Sequence, residues 1–159
     1  MTAEQNERFM RRAIILAQQG VDAGAGGPFG AVIVKDGKIV GEGFNRVTST
    51  NDPTAHAEVV AIRNACQNLD SFQLDGCVLY TSCEPCPMCL GAIYWARPLK
   101  VFYAATREDA SQIGFDDQFI YEEIEKNFEH RQMKLVSLMR DEGLTVFENW
   151  MNKTDKTKY

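Results

Sequence analysis

Three of the five cysteines lie between positions 83 and 89, and this cluster constrains the fold more than any other feature of the chain. Cys86 and Cys89 are spaced three apart at the predicted start of a helix, so both sulfur atoms can face one point beside the positive helix end. His56 stands at the predicted start of an earlier helix. Zinc prefers thiolate and imidazole ligands in a tetrahedral arrangement. If these residues hold one zinc ion, the fold must bring the starts of two helices together.

The remaining cysteines and histidines argue against several other kinds of site. The cysteine count is odd and the first residues do not follow the signal-peptide pattern, which argues against a disulfide framework. The chain has only two histidines, His56 and His130, so a metal site built mainly from histidine is excluded. A bacterial ferredoxin motif would need a further cysteine where the chain has Ile93. We expect His130 to be a solvent-exposed surface residue.

Two alternatives to a catalytic zinc site remain open for the cysteine cluster. Cys83 can act as a fourth protein ligand, which would close the site and make it structural. Cys86 and Cys89 can instead form a redox pair. Cys66 and Cys77 stand apart from the cluster, and we assign both to the hydrophobic core.

The periodicity of apolar residues predicts the secondary structure and the fold class. Strands alternate with helices after an opening hairpin, which predicts an α/β fold with three layers, α/β/α, and a mixed sheet of about five strands. The chain length fits one domain, 1–159. The predicted elements are, in chain order, helix Phe9–Val21, strand Ala31–Val34, strand Ile39–Asn45, helix Ala55–Leu69, strand Cys77–Thr81, helix Pro87–Ala96, strand Val101–Ala105, a helix within Glu108–Arg131, strand Lys134–Met139 and helix Asp141–Asn152.

Three features of the predicted helices bear on packing. Gly20 and the glycines that follow it are expected to end the first helix. The second helix is expected to bury one stripe of side chains, formed by Val59, Ile62, Cys66 and Leu69. The third, Pro87–Ala96, is apolar nearly all round, so either the core or a second subunit must cover more than one of its sides.

The chemistry-bearing residues follow the carboxyl ends of predicted strands, where ligands bind in sheets of this kind. Asn45 ends one strand, Cys83–Cys86 follow another, and Ala105–Asp109 follow the next. We therefore expect these residues to meet at one edge of the sheet.

Composition and charge favour a small substrate in the cytoplasm. The formal net charge is −5, whereas proteins that grip a nucleic-acid backbone usually carry a basic surplus, so we expect no nucleic-acid partner. The longest clean apolar run, Ala13–Ala17, is too short to span a membrane. The polar residues Thr2–Arg8 do not resemble a secretory signal, and we expect a cytoplasmic protein without a membrane partner.

Two motifs resemble the signature of zinc-dependent nucleobase deaminases, in which His-x-Glu is followed by Pro-Cys-x-x-Cys. The ligands would be His56, Cys86 and Cys89, with the fourth position open for water. Hydrolytic deamination takes a proton from water and delivers protons to a ring nitrogen and to the leaving ammonia. Glu58 is the natural general acid and base for these transfers, which contribute about 10²- to 10⁴-fold in rate.

Most of the chain resembles the cytidine-deaminase-like superfamily, and within it the bacterial guanine deaminases. The similar segments are Gly26–Val34, Asn51–Glu58, Tyr80–Pro98, Gly114–Tyr121, the final helix and the C-terminal tyrosine. The resemblance implies hydrolysis of guanine to xanthine and ammonia with one zinc ion per chain. It also implies a homodimer in which the C-terminal segment, about 140–159, can cross to the partner subunit. In this family Asn45 would hold the base, Asp117 would orient it or relay protons, and Tyr159 would close the pocket.

The hydrogen-bonding groups of guanine fit some of these residues. Guanine offers N1–H and an exocyclic amine as donors, and O6 and N7 as acceptors. The Asp117 carboxylate can accept from the donor edge, and the Asn45 amide can meet an acceptor. Phe29 or Trp95 can stack on the ring. Two structural alternatives stay open, in which Asp116 and Asp117 cap a helix and Phe29 belongs to the core.

Other functions share parts of this pattern. A tRNA adenosine deaminase would carry the same zinc motifs at nearly the same length, but its substrate would demand a basic face, and Lys153, Lys156 and Lys158 are few. A cytosine or cytidine deaminase of the same fold is a second alternative. A non-catalytic structural zinc protein is the alternative outside the enzymes.

Overall fold

The computed structural model describes residues 1–159, which form two compact units, Met1–Asp117 and Gln118–Tyr159. No helix is both long enough and apolar enough to span a membrane. The C-terminal unit contains α6 (Gln118–Glu125), a 3₁₀ turn (Phe128–His130) and α7 (Arg140–Asn152). The N-terminal unit contains α1 (Ala3–Asp22), β1 (Gly30–Lys35), β2 (Lys38–Phe44), α2 (Val47–Thr50), α3 (Ala57–Leu69), β3 (Val78–Cys83), α4 (Pro87–Ala96), β4 (Lys100–Ala105) and α5 (Arg107–Gln112).

Local sequence signals start and turn the first elements. Thr2 and Gln5 form a capping box at the start of α1, in which each side chain accepts a hydrogen bond from the other residue's backbone N–H. The hairpin between β1 and β2 turns at Asp36 and Gly37, with φ of 50° and 73°. Two positive φ values in succession are typical of the tight turn that suits antiparallel strands, and an Asp-Gly pair adopts them readily.

The sheet has four strands in the order β2-β1-β3-β4. β1 pairs antiparallel with β2 and β3, whereas β3 and β4 run parallel. Side chains alternate across the sheet, so Val32, Val34 and Tyr80 pack with α1 while Ile33 and Leu79 pack with α3 and α4. Helices therefore cover both faces, which confirms the predicted three-layer α/β/α fold with a mixed sheet.

The fifth predicted strand, Lys134–Met139, is wrong, because this segment has no regular secondary structure. A strand is stable only when its backbone groups pair with another strand, and the unit that contains this segment otherwise consists of helices. Its apolar side chains are largely exposed, as Val136 at 84% and Leu138 at 83% illustrate. The segment has the residue pattern of a strand, but its unit contains no other strand with which it could pair.

The residues that α1 and α3 bury differ from those predicted. α1 continues through Gly20, which is buried and faces Phe44 so closely that a Cβ atom would lie 3.1 Å from the ring. Gly20 is thus a packing residue and not a helix end. In α3 the fully buried positions are Ala57, Glu58, Ala61 and Ala65, whereas the predicted stripe of larger side chains is only partly buried.

α4 has the predicted bounds and an apolar surface on several sides, but only one side is covered. Cys89, Ile93 and Ala96 are buried against the rest of the unit. Tyr94 and Trp95 point away from it and are 75% and 65% exposed. The core therefore covers one side of this helix, and the large apolar side chains of Leu90, Tyr94 and Trp95 are exposed within the single chain.

Glycines on β2 let α3 approach the sheet closely. A Cβ atom added at Gly41 would lie 2.5 Å from the carbonyl oxygen of Ala61, and one at Gly43 would lie 2.5 Å from that of Ala57. These distances are shorter than real Cβ contacts, so the helix backbone rests directly on the strand. This contact sets the height above the sheet at which α3 begins.

Replacing Gly43 by alanine should therefore destabilise the protein. We expect Gly43→Ala to lower the free energy of unfolding by about 1–3 kcal/mol, because the added methyl group overpacks the contact with α3. Chemical denaturation of the zinc-loaded protein measures the change. Gly143→Ala is the matched control, since a Cβ at Gly143 meets nothing within 4 Å. Equal stability of the two variants would contradict close packing at Gly43.

Candidate metal centre and active-site cavity

The starts of α3 and α4 meet beside the carboxyl end of β3. His56 is the residue immediately before α3, and Cys86 is the residue immediately before α4. Cys89 lies in the first turn of α4, after Pro87, which begins that helix without offering an N–H group. The loop between β3 and α4 is held by the Glu84 N–H, which donates to the carbonyl of Ala105 at 2.8 Å. The sheet thus presents the start of α4 to the start of α3.

The three predicted ligands form a group that fits a zinc ion. One potential ligand atom each from His56, Cys86 and Cys89 lies within 4.8 Å of the other two. His56 Nδ1 is 3.5 Å from each sulfur atom. A tetrahedral zinc ion with Zn–N of about 2.05 Å and Zn–S of about 2.3 Å requires an N···S distance of about 3.5 Å. The donor types and their spacing therefore suit zinc.

Cys83 lies outside this ligand group. Its Sγ donates a hydrogen bond to the Thr106 carbonyl at 3.4 Å, and burial raises the pKa of the Cys83 thiol to about 11. The sulfur atom of Cys83 is thus engaged by a backbone acceptor, and it is not one of the ligand atoms that lie within 4.8 Å of one another. With three protein ligands, one tetrahedral position is left for water or substrate.

Without a metal ion the ligand side chains share protons among themselves. Hydrogen bonds, of which the one from Cys89 has the largest effect, lower the pKa of Cys86 to about 4. The same hydrogen bond and burial raise the pKa of Cys89, since its proton is the one the pair keeps. The hydrogen bond to Cys86 raises the pKa of His56. A metal ion would displace these protons and take their place between the same atoms.

Glu58 lies in the first turn of α3 and is buried beside the ligands. Its Oε1 accepts a hydrogen bond from Thr81 Oγ1 at 3.1 Å, and its Oε2 accepts one from Cys89 Sγ at 3.4 Å. Burial raises the pKa of the Glu58 carboxyl above its ordinary value. A carboxyl whose pKa is raised binds a proton more readily than a free one and can return it, as general acid–base chemistry requires.

A cavity of about 640 Å³ opens onto this group. This volume is typical of sites for small organic molecules. At the ligand group the cavity is lined by His56, Glu58 and Cys86. The other residues that line it come from four stretches of the N-terminal unit, Gly24–Phe29, Asn45–Thr48, Cys83–Glu84 and Arg107–Asp117. The cavity lies at the carboxyl edge of the sheet, where the sequence predicts that the functional residues meet.

Asn45 presents one defined group to the cavity. Its Oδ1 accepts hydrogen bonds from the backbone N–H groups of Gly27 and Val47, at 3.3 and 3.2 Å. The side-chain amide is therefore fixed in one orientation, and its nitrogen is left as a donor. Gly26 makes this arrangement possible, since a Cβ at that position would overlap Asn45 Oδ1.

The other predicted substrate contacts fall in different places. Phe29 lines the cavity and also packs against the core, and its ring meets that of Phe115 edge to face, with 4.9 Å between centroids. Asp117 lines the cavity, and burial raises the pKa of its carboxyl. Trp95, the other predicted stacking residue, lies on the exposed side of α4 and does not line the cavity of this chain. Tyr159 is the last residue of the C-terminal unit and is exposed, and its contact with a base stays a prediction.

Several residues of the site have no individual role predicted from the sequence, although Glu84 and Arg107 belong to the stretches that were expected to meet here. Thr81 holds Glu58, and Phe115 packs on Phe29. Glu84 and Arg107 line the cavity, and Glu84 Oε2 accepts a hydrogen bond from the backbone N–H of Arg107 at 3.2 Å. Thr81 stands between two other residues with hydroxyl groups, Tyr80 and Ser82, so the sequence does not single it out.

Comparison with known families assigns this site. Residues 3–105 match the family model of the cytidine and deoxycytidylate deaminase zinc-binding region. The chain belongs to this deaminase family. The family and the His/Cys/Cys group together fit one zinc ion per chain, as predicted. The predicted enzyme class, a hydrolase acting on a C–N bond, is confirmed with it.

Individual relatives of this deaminase extend the match along the whole chain. The guanine deaminase of Bacillus subtilis (strain 168) is 60% identical over 154 residues, which are 97% of this chain and 99% of that one. The X-ray structure of guanine deaminase from Bacillus subtilis matches with a TM-score of 0.95 and 59% identity, over 100% of this chain and 99% of that chain. These two matches confirm the resemblance to bacterial guanine deaminases.

More distant members of the family match part of the chain or match it less closely. The tRNA-specific adenosine deaminase of Haemophilus influenzae is 40% identical over 121 residues, which are 72% of this chain and 69% of that one. The structure of NE0047 in complex with 2,6-diaminopurine matches with a TM-score of 0.68 and 29% identity, over 97% of this chain and 85% of that chain.

The three-ligand arrangement predicts different zinc contents for two cysteine variants. Cys83→Ser should retain about one zinc ion per chain, because Cys83 bonds to Thr106 and not to the ligand group. Cys86→Ser should lose most of its zinc, since it removes a thiolate. Elemental analysis of the purified variants measures both contents. Loss of zinc from Cys83→Ser would contradict the arrangement and favour a closed four-ligand site.

Proposed function

We propose that this deaminase hydrolyses guanine to xanthine and ammonia. The observation that carries the proposal is the 60% identity to a guanine deaminase across 97% of this chain. In the reaction water adds at C2 of the base, the bond from C2 to the exocyclic nitrogen breaks, and the nitrogen leaves as ammonia. The cavity of about 640 Å³ has room for a purine base beside the ligand group.

We infer that His56, Cys86 and Cys89 hold zinc and that Glu58 moves the protons. When bound, zinc supplies hydroxide at neutral pH by lowering the pKa of water to about 7. Glu58 Oε2 lies on the side of the ligand group, 3.4 Å from Cys89 Sγ, and is the oxygen that accepts the proton of the water. The same carboxyl would pass that proton to a ring nitrogen. It would then take the proton of the new hydroxyl group at C2, as the C2 carbonyl forms, and pass it to the departing amine. Its burial favours the neutral form, which helps it to return the proton.

We propose that Asn45, Asp117 and Phe29 bind the base. The fixed amide nitrogen of Asn45 offers a donor, which suits O6 or N7 of guanine. The Asp117 carboxylate offers an acceptor for N1–H or the exocyclic amine, and it either orients the base or relays protons. The ring of Phe29, held by Phe115, supplies an apolar wall. This set pairs donors with acceptors along one edge of a purine.

We also propose that residues 1–159 act as one deaminase domain within a cytoplasmic homodimer, and that the C-terminal segment, about 140–159, is exchanged between subunits. Two observations support the dimer. The outer side of α4 exposes Tyr94 and Trp95, and the segment Lys134–Met139 exposes most of its apolar side chains. Apolar surface of this extent is more typical of an interface than of a monomer. Tyr159 would then close the cavity over the base, from its own subunit or from the partner.

The substrate is tested by comparing ammonia release from guanine, adenine, cytosine and a tRNA anticodon stem-loop with the zinc-loaded protein. We expect turnover of guanine and little or none of the others. Preferred release of ammonia from the stem-loop would contradict the proposal and favour a tRNA adenosine deaminase. Preferred release of ammonia from cytosine would also contradict the proposal and would favour a cytosine or cytidine deaminase. A bound zinc ion without turnover of any substrate would indicate a structural zinc protein.

Glu58→Gln tests the proton carrier within the same assay. Glutamine keeps the shape of the side chain and can still accept a hydrogen bond from Thr81. Its amide cannot accept and return a proton at neutral pH. We expect the variant to fold and to bind one zinc ion while its kcat falls roughly 10²-fold or more. Steady-state kinetics together with zinc analysis provide the measurement. Near-normal turnover would remove Glu58 from the mechanism.

Deleting residues 152–159 tests the C-terminal tail. We expect guanine turnover to fall strongly while zinc content and the circular dichroism spectrum stay unchanged, because closing a site over its substrate excludes bulk water. Tyr159→Ala separates the loss of the aromatic ring from the loss of chain length. If the subunits exchange tails, a mixed dimer of Glu58→Gln with an intact tail and a truncated chain with intact Glu58 should regain activity. Full activity of the truncated protein would show that the tail has no role.

A further inference from the structure

The N-terminal unit buries few polar side chains, and they gather at the active site. The chain buries three polar or charged side chains, those of Asn45, Glu58 and Thr81. Asn45 and Glu58 line the cavity and are placed in the proposed mechanism. Thr81 is fully buried, does not line the cavity and has no place in that mechanism so far. Its hydroxyl therefore needs a separate explanation.

Thr81 sits in the centre of the sheet, on the face that α3 covers. It pairs with Ala31 of β1 and with Tyr103 of β4, and its side chain points to the same side of the sheet as that of Leu79. Valine has nearly the same shape as threonine and would fill this apolar position without burying a hydroxyl. Burying a hydroxyl is unfavourable unless it forms a hydrogen bond. The hydroxyl of Thr81 forms that bond with Glu58 Oε1, at 3.1 Å.

We propose that Thr81 is a positioning residue that sets the rotation of the Glu58 carboxylate. The O–H group of Thr81 donates a hydrogen bond to Oε1 of Glu58, so this oxygen is held by β3. Oε2 is thereby turned toward the ligand group, where it lies 3.4 Å from Cys89 Sγ. The two carboxylate oxygens thus have separate tasks, one for anchoring and one for proton transfer. This inference rests on the proposed role of Glu58, and it adds the residue that selects which oxygen acts.

Kinetics of two Thr81 variants test the inference on the zinc-loaded protein with guanine. Thr81→Val removes the hydroxyl and keeps the shape, so kcat should fall about 10-fold while KM stays within about twofold. Thr81→Ser keeps the hydroxyl and loses a methyl group, so it should retain kcat within about threefold despite lower stability. A residue that only fills space would give the opposite order, because valine preserves the packing. An unchanged kcat in Thr81→Val, or equal losses in both variants, would overturn the proposal.

A kinetic double-mutant cycle shows whether Thr81 acts through Glu58. In the Glu58→Gln background Thr81→Val should lower the residual kcat by less than twofold, since no proton-carrying oxygen is left to position. A further 10-fold loss in that background would show that Thr81 acts by another route and would overturn the inference.

An unfolding cycle tests the same contact without substrate, so it separates failure of this inference from failure of the proposed function. Denaturant midpoints are measured for zinc-loaded wild type, Thr81→Val, Glu58→Leu and the double variant. Thr81→Val should lower the midpoint in the wild-type background and leave it unchanged or raise it in the Glu58→Leu background, where the hydroxyl has lost its acceptor. Equal shifts in both backgrounds would overturn the contact. A wild type that does not deaminate guanine but passes this cycle would contradict only the proposed function.

Discussion

The meeting of two helix starts is the constraint on which the rest of this structure depends. The ligand atoms of His56, Cys86 and Cys89 lie within 4.8 Å of one another although the first is 30 residues distant in the chain from the second. Parallel β3 and β4 present the start of α4, and the glycines of β2 set the height of α3. Cys86 stands immediately before α4 and Cys89 lies in its first turn, where the positive helix end favours the thiolate form of cysteine.

The scaffold is apolar where α3 packs closest to the sheet, and its buried polar side chains gather at the site. The residues at the closest contacts of α3 with β2 are alanines and glycines, while Asn64 and Asn68 on the exposed side of α3 donate hydrogen bonds to β2 carbonyls. Asn45, Glu58 and Thr81 are buried together with their partners, and no buried side-chain nitrogen or oxygen atom lacks a hydrogen bond. Buried polar groups with fixed partners keep one orientation, and reaction chemistry benefits from such preorganisation. The orientation of the Asn45 amide and of the Glu58 carboxylate follows from this rule.

The sequence was sufficient to predict the parts of the fold and site that depend on local spacing. The Cys86 and Cys89 pair, His56 and Glu58 are recognisable because each pair falls within one helical turn. The contact of Thr81 with Glu58 joins residues 23 apart, and that of Gly26 with Asn45 depends on a loop lying over a strand end, so neither has a local signature. The predicted strand Lys134–Met139 fails for a related reason, since strand formation depends on a partner and not on propensity alone.

X-ray absorption at the zinc K edge of the loaded protein tests the meeting of the helix starts most directly. The ligand group predicts two sulfur atoms at about 2.3 Å and two nitrogen or oxygen atoms at about 2.0–2.1 Å, one from His56 and one from water or substrate. Addition of a purine inhibitor should change only the lighter shell. A third sulfur atom in the first shell would place Cys83 on the metal, close the open position and contradict a catalytic zinc centre built from His56, Cys86 and Cys89.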